Sequence, residues 1–298
     1  MGRRGRQARR TAEGGGVMAA KKWNLVIDVG RCMDCNDCFL ADKDEFTGND
    51  FPPYSVAQPW SGHRWMNIMR TERGQYPLVQ VAYRPTPCLH CDEAPCIKDS
   101  PAGTVYKRED GLVIIDPGKA KGHPEIVSTC PYEVIYWNEE AQVAQKCTGC
   151  AHLLDEGWTE TRCSQVCPAD AIKLVLADDA EMAAQAAAEE LEVLQPELGA
   201  KPRVYYKNLY LFDKAFVAGN VVFGDTDECA EGAKATVKAD GQVVGTAATN
   251  NYGDFYVDKL EPGKEYAVTV EAAGYAPAAC TVKLDKSQNL GAIILARK

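Results

Sequence analysis

Cys32-Met-Asp-Cys35-Asn-Asp-Cys38-Phe-Leu-Ala-Asp42 is the stretch whose reading decides the fold. Three thiols at C-x2-C-x2-C spacing read as three corners of an iron–sulfur cube. A tight loop with this spacing sets successive thiolates on neighbouring irons while its backbone N–H groups face the anionic cluster. When a fourth cysteine follows such a run after three residues, it ligates a second cluster instead of the first. Here that place holds Asp42. The run therefore predicts a partner run elsewhere in the chain, and one unusual ligand.

The cysteine inventory supports this. Of thirteen cysteines, eleven fall between Cys32 and Cys167, in short-spaced groups beside prolines. Disulfide frameworks belong to small secreted domains, whereas this chain of 298 residues shows no secretion signal. Zinc suits isolated C-x2-C pairs but not a triple run. The length fits about two domains. No apolar run is long enough to cross a bilayer, so a soluble or peripheral, cytoplasmic protein is expected. The net charge of −9 argues against nucleic acid as a partner.

Residues 1–17 carry five Arg and one Glu. An Arg pair suggests a twin-arginine signal, but the apolar region it requires never arrives. A composition that buries nothing predicts a disordered basic tail, or sequence upstream of a true start at Met18. A basic nucleic-acid arm is the competing reading. The apolar, β-branched run Trp23–Val29 predicts a strand leading into the first cysteines. Residues 43–87 form a long insertion rich in aromatics, Pro and Arg. Loops of this length are usually functional or dock against something. His63, Arg64, Trp65, Arg70 and Arg73 either contact a partner or cover the clusters and pair with the acidic surface.

The second group is Cys88-Leu-His-Cys91-Asp-Glu-Ala-Pro-Cys96, with Ser100 in the fourth position before Pro101. A strand signal over Gly111–Asp116 then leads through Asp116-Pro-Gly-Lys119 to Cys130-Pro131. Counted back from Cys130 on the bacterial ferredoxin spacing, the three remaining ligand positions fall on Ala120, His123 and Ile126. This segment reads as a ferredoxin half-module that has lost its own cluster. The last group is Cys147-Thr-Gly-Cys150, a twelve-residue spacer, then Cys163-Ser-Gln-Val-Cys167-Pro168.

Pairing first with fourth and second with third, and exchanging fourth ligands within each pair, closes the count. Cluster one takes Cys32, Cys35, Cys38 and Cys167. Cluster two takes Cys147, Cys150, Cys163 and Asp42. Cluster three takes Cys88, Cys91, Cys96 and Cys130. A fourth cluster would need Ser100, Ala120, His123 and Ile126, so it has lost all four thiols together. Independent decay would not empty one site and leave three nearly intact, so three [4Fe-4S] clusters are expected. Asp42 either binds the fourth iron of cluster two through oxygen or stands by a solvent-ligated or missing iron. His90 and His152, beside the ligands, tune the clusters or simply pack.

Beyond the cysteines, residues 177–198 read as an Ala/Glu-rich helix stopping near Pro196, a solvated strut. From Ala215, seven short strand signals separated by Asp240-Gly241, Asn250-Asn251-Tyr252-Gly253 and Pro262-Gly263 predict a β-sandwich. Cys229 and Cys280 lie there as buried or spectator thiols. The expected fold class is α+β: a duplicated bacterial ferredoxin-like 4Fe-4S domain followed by an all-β, prealbumin- or immunoglobulin-like sandwich. The expected divisions are a tail over 1–17, the iron–sulfur domain over 18–176, a helical or extended linker over 177–214 and a seven-stranded sandwich over 215–298.

Residues 23–176 resemble the four-cluster iron–sulfur subunits of the dimethyl sulfoxide reductase family of molybdopterin oxidoreductases. The motifs that carry a narrower likeness are GHRWMNI, RPTPCLHC, REDGLVIIDPGKAKG, CPYEVIYWNEE, QKCTGCAHLLD and KPRVYYKNLY. They resemble the small subunits of phenol transhydroxylases, and subunits of catechol dehydroxylases look similar. The empty fourth site, Asp42 and the added sandwich depart from the four-cluster pattern. The resemblance implies a heterodimer with a large catalytic subunit carrying molybdenum and two pterin guanine dinucleotides. The chemistry would occur there, because this chain shows no nucleophile–base pair of its own. In four-cluster relatives the site lost here is the terminal one facing the membrane subunit. Electron transfer is the implied role; a mainly structural role for the clusters, suited to redox-neutral hydroxyl transfer, is the alternative.

Overall fold

The apolar run after Lys22 becomes strand β1 (Lys22–Asp28) in the computed structural model, which describes residues 20–298. The tail expected over residues 1–17, and Met18 with it, lie outside the described residues. After the first cysteine loop come α1 (Asp37–Phe46) and a hairpin, β2 (Asn67–Gln75) and β3 (Leu78–Thr86). The second cysteine group opens α2 (Pro95–Lys98) and leads to the hairpin β4 (Val105–Lys107) and β5 (Val113–Ile115). A third small hairpin, β6 (Tyr136–Asn138) and β7 (Val143–Gln145), precedes the last group. That group holds α3 (Ala151–Asp155) and α4 (Arg162–Gln165) and runs into β8 (Ile172–Ala177). Next are α5 (Asp179–Glu189), β9 (Val204–Lys207) and α6 (Tyr210–Asp213).

β1 is the middle strand of a sheet ordered β8-β1-β9, antiparallel to β8 and parallel to β9. Its Leu25 and Ile27 pack into one core with Val113, Ile115, Ile126, Ile172 and Tyr206. At roughly 1.5–3 kcal/mol per buried aliphatic side chain, that core rather than the short helices holds the cysteine loops in place.

The same turn leaves β1 and β5. Asp28 Oδ1 accepts from Gly30 N at 2.9 Å, and Cys32 N donates to Asp28 O at 3.2 Å. Asp116 Oδ1 accepts from Gly118 N at 2.9 Å, and Ala120 N donates to Asp116 O at 2.9 Å. Ala120 therefore stands where Cys32 stands.

The insertion over residues 43–87 is not one long loop: its second half is the β2–β3 hairpin. Gly74 makes the turn at φ +88°, and a Cβ there would meet Leu78 O at 2.3 Å and Phe216 at 2.8 Å. The hairpin thus presses its backbone onto the C-terminal domain. Arg73 is only 4% exposed. Its guanidinium meets both Asp258 oxygens at 2.9 and 3.0 Å, Gln80 at 2.7 Å and the Lys214 carbonyl at 3.1 Å.

The other insertion residues also face this chain. His63 and Trp65 are buried, Arg64 lies 4.0 Å over the Phe39 ring, and Arg70 holds Asp34 at 2.6 Å.

α5 ends well before Pro196, at Glu190 in the left-handed conformation. The chain then bridges Glu192 to Tyr206 of β9, which competes with helix. Nor is α5 a free strut. Met182 is buried with Val26 and Ala177, and Asp179 at the first turn is held by Arg203 at 2.7 Å.

The C-terminal strands are β10 (Ala215–Phe223), β11 (Lys234–Ala239), β12 (Gln242–Ala248), β13 (Asp254–Leu260), β14 (Glu265–Glu271), β15 (Ala278–Lys283) and β16 (Gln288–Leu295). They form two sheets, β13-β10-β16 and β12-β11-β14-β15. Alternating residues such as Val237, Phe255, Val257, Val268 and Val270 fill a separate core between them. Cys229 and Cys280 are exposed and unbridged. The longest helix among the described residues is α5, of 11 residues, and no helix there is long and apolar enough to cross a membrane.

Candidate metal centres

The first cysteine loop turns through Asp34 and Asn36, both at positive φ, the conformation Asn and Asp tolerate best. That winding aims backbone N–H groups inward: Asp34 N serves the Cys32 sulfur and Phe39 N the Cys38 sulfur. From the far end of the chain, Cys167 comes close enough for its charge to act on Cys32. Ala171 N donates to Cys167 Sγ at 3.3 Å. Burial pushes the Cys32 thiol up, with Cys167 and Cys35 adding to it. Cys32, Cys35, Cys38 and Cys167 share this neighbourhood. Cys38 also feels Cys163 of the next one, so the two sites adjoin.

In the second neighbourhood, Cys147 and Cys150 flank Gly149, and Thr161 caps α4 to present Cys163. Gly149 N donates to Cys147 Sγ at 3.4 Å, and Arg162 N to Cys150 Sγ at 3.5 Å. The Thr161 hydroxyl lies 3.1 Å from Cys163 Sγ. Burial pushes the Cys163 thiol up to about 11. Asp42 on α1 is 6% exposed, and its charge acts on Cys147, Cys150 and Cys163 alike. Gln58 Nε2 donates to its Oδ2 at 3.1 Å. Burial lifts the Asp42 carboxyl to about 7, while Gln58 pulls it down.

Cys88, Cys91, Cys96 and Cys130 line one small cavity, walled otherwise by apolar residues, His90, Tyr132 and Lys146. Backbone N–H groups of Val134 and Tyr132 serve the Cys130 sulfur. Burial, then Cys88, pushes the Cys96 thiol up to about 12. Cys130 and Cys167 open matching Cys-Pro turns. Each closes on a positive-φ acidic residue, with Glu133 N donating to Cys130 O at 3.2 Å and Asp170 N to Cys167 O at 3.1 Å.

The fourth set of positions looks different. Ala120 and Ile126 are completely buried in the main core. His123 turns outward to Glu125 at 2.8 Å, and Ser100 Oγ is buried without a partner. Apolar packing fills that site, and no thiol enters it.

Three neighbourhoods of unbridged thiols, mostly buried and served by N–H donors, fit iron–sulfur clusters. No three His, Cys, Asp or Glu side chains among the described residues converge on one metal ion, as bonds of about 2.3 Å to a single zinc demand. A cluster spreads its ligands over four corners. Burial matters to such a cluster, since exclusion of water and hydrogen bonds to sulfur set its potential.

The two histidines beside the ligands divide. His90 is buried, and its Nδ1 accepts from Val113 N at 2.9 Å, which puts the proton on Nε2. His152 stacks on Phe51 at 3.8 Å and meets Glu45 at 2.9 Å, a packing role. Spacing rules do not find Lys146, Gln58 or Thr161. The available signal is a lysine directly before a C-x2-C pair that is otherwise buried.

Two family models match the chain. One, described as a 4Fe-4S dicluster domain, matches residues 79–177; the other, a carboxypeptidase regulatory-like domain, matches residues 217–295. The chain is 50% identical over 279 residues to the pyrogallol hydroxytransferase small subunit of Pelobacter acidigallici, covering 92% of this chain and 100% of that one. It is 33% identical over 218 residues to a putative dimethyl sulfoxide reductase iron–sulfur subunit of Halobacterium salinarum, covering 62% of this chain and 79% of that one. With the thiosulfate reductase electron transfer subunit of Salmonella typhi the identity is 31% over 159 residues, covering 53% of this chain and 78% of that one.

Proposed function

We propose a function from one premise: this chain belongs to the family of iron–sulfur subunits that includes the pyrogallol hydroxytransferase small subunit and the iron–sulfur subunits of the dimethyl sulfoxide reductase family. It is an iron–sulfur electron-transfer subunit of a molybdoenzyme. The finer reading is a phenol transhydroxylase of the pyrogallol–phloroglucinol type. One observation carries it: the likeness to the pyrogallol enzyme's small subunit spans that subunit's full length at 50% identity, the sandwich included.

In this reading the chain is a duplicated ferredoxin-like unit with three [4Fe-4S] clusters. Cys32, Cys35, Cys38 and Cys167 hold one. Cys147, Cys150, Cys163 and Asp42 hold the second. Cys88, Cys91, Cys96 and Cys130 hold the third. When bound, such clusters take up and release single electrons. The chain's own contribution is to fix the thiolates, direct N–H groups at the sulfurs and keep water out. A large catalytic subunit, carrying molybdenum with two pterin guanine dinucleotides, completes a cytoplasmic heterodimer. The buried Ala120 and Ile126 support a count of three, because their side chains occupy the place a fourth cluster would need.

Co-purification with the large subunit, iron analysis and turnover assays test the reading together. About 12 irons per chain are expected from three four-iron clusters. Activity is expected on pyrogallol and not on catechols. Dehydroxylation of catechols instead would move the complex to the related dehydroxylases. Clusters that dithionite cannot reduce would favour a purely structural role.

A further inference from the structure

Lys146 precedes Cys147 in sequence, yet its side chain reaches into the cavity lined by Cys88, Cys91, Cys96 and Cys130. The residue is 3% exposed. Its Nζ donates to the Val113 carbonyl and, at 3.1 Å, to the Cys147 carbonyl, and the Cys88 thiol lies near enough for its charge to act on it. Two carbonyl acceptors and a neighbouring thiol around one nitrogen suit an ammonium, which has three N–H bonds and no acceptor. No carboxylate among the described residues forms an ion pair with it. An isolated buried ammonium is costly. The nearby negative charge comes from sulfur: Cys88, Cys96 and Cys147 all act on it. Those thiols belong to two different neighbourhoods. No thiol of the Cys32 neighbourhood lines the cavity that Lys146 enters.

We propose that Lys146 is a counter-charge shared by the Cys88/Cys91/Cys96/Cys130 site and the Asp42/Cys147/Cys150/Cys163 site, raising the reduction potentials of both together. The proposal rests on the cluster assignment made above. Reduction adds negative charge to a cluster, so a fixed cation nearby stabilises the reduced form. Water cannot screen it in this buried setting. Taking the cation away lowers both potentials and leaves the Cys32/Cys35/Cys38/Cys167 site alone. Lys146 is a positioning and tuning residue; it touches no substrate.

The test is a redox titration of the assembled complex, followed by electron paramagnetic resonance, for the wild type, K146Q and K146R. K146Q keeps donors but no charge, and K146R keeps the charge. In K146Q, two of three reduced-cluster signals are expected at more negative potential, by roughly tenfold in the equilibrium constant for one-electron reduction, which is about 59 mV. The third signal stays, and K146R restores the other two. Unmoved signals in K146Q, an equal shift in all three, or intact clusters that K146R does not restore would each overturn the proposal. Iron and sulfide analysis separates the failures: a wild type without three clusters defeats the cluster assignment, whereas intact clusters with unmoved potentials defeat only the role of Lys146.

If K146Q does not assemble, the unaltered site still decides. Lys107 is another lysine near these loops, donating to Cys91 O at 2.8 Å. In K107R complex grown with 15N-lysine, a lysine nitrogen coupling is expected by pulsed resonance on a reduced-cluster signal. Its absence would rule Lys146 out as a counter-charge.

Discussion

Asp42 carries the least ordinary chemistry at the scale of single residues. Its carboxylate is buried beside three thiols, and only one of its oxygens is taken by a side chain, that of Gln58. A carboxylate oxygen is a harder donor than a thiolate, so an iron it holds differs in potential and lability from one held by sulfur. Asp42→Cys should shift one of three cluster signals and leave the others in place. Asp42→Ala should favour a three-iron form, read as iron loss and a changed resonance spectrum. If neither change alters any signal, the fourth iron is bound by solvent or missing. The grouping of the cysteines into three neighbourhoods is legible in the sequence because thiol spacing is tied to cluster geometry. Lys146 and Gln58 were not. Lysine and glutamine are common surface residues, and only the fold reveals that these two are buried against sulfur and carboxylate.

At the scale of elements, the β2–β3 hairpin is the piece sequence patterning did not reveal. Its strands read NIMRTERGQ and LVQVAYRPT, with Arg, Glu and Gln where an alternating strand would place apolar side chains. The reason is Arg73, whose guanidinium replaces a hydrophobic contact as the hairpin's inward anchor. It joins Asp258, the Lys214 carbonyl and Gln80, and stands 5.3 Å from the Phe216 ring. A planar fork holding both carboxylate oxygens is not replaced by an ammonium. Removing one partner of such a pair strands the other, at a cost of about 3–5 kcal/mol for a fully buried pair. Asp258 retains some access to water, so the lower end applies. Arg73→Met is therefore expected to destabilise by about 3 kcal/mol and to open the junction after Asp213 to protease. Arg73→Lys should recover only part of this. Digestion at unchanged rate in Arg73→Met would mean the hairpin, not the arginine, holds the two domains together.

At the scale of the whole molecule, the chain separates chemistry from support. Every cysteine that shares a thiol neighbourhood lies between Cys32 and Cys167, and those on the sandwich, Cys229 and Cys280, stand exposed and apart. The sandwich is readable in the sequence, because its turns fall at Asp-Gly and Pro-Gly pairs and its strands alternate with period two, as in Glu265–Glu271. The two sheets close a core of their own, including Val217, Val237, Phe255, Val268 and Leu284. Residues 215–298 expressed alone should therefore fold as β-structure and bind no iron. The fragment is expected to be less stable than in the full chain, for a stated reason. Phe216, fully buried in the intact protein, loses Gly74 and Arg73 from above it, and Asp258 loses its ion partner. Circular dichroism and iron analysis decide between outcomes. A fragment that takes up iron would show that the division of labour is wrong. A fragment without β-structure would show that the hairpin contributes to the sandwich core itself, making the two halves one folding unit.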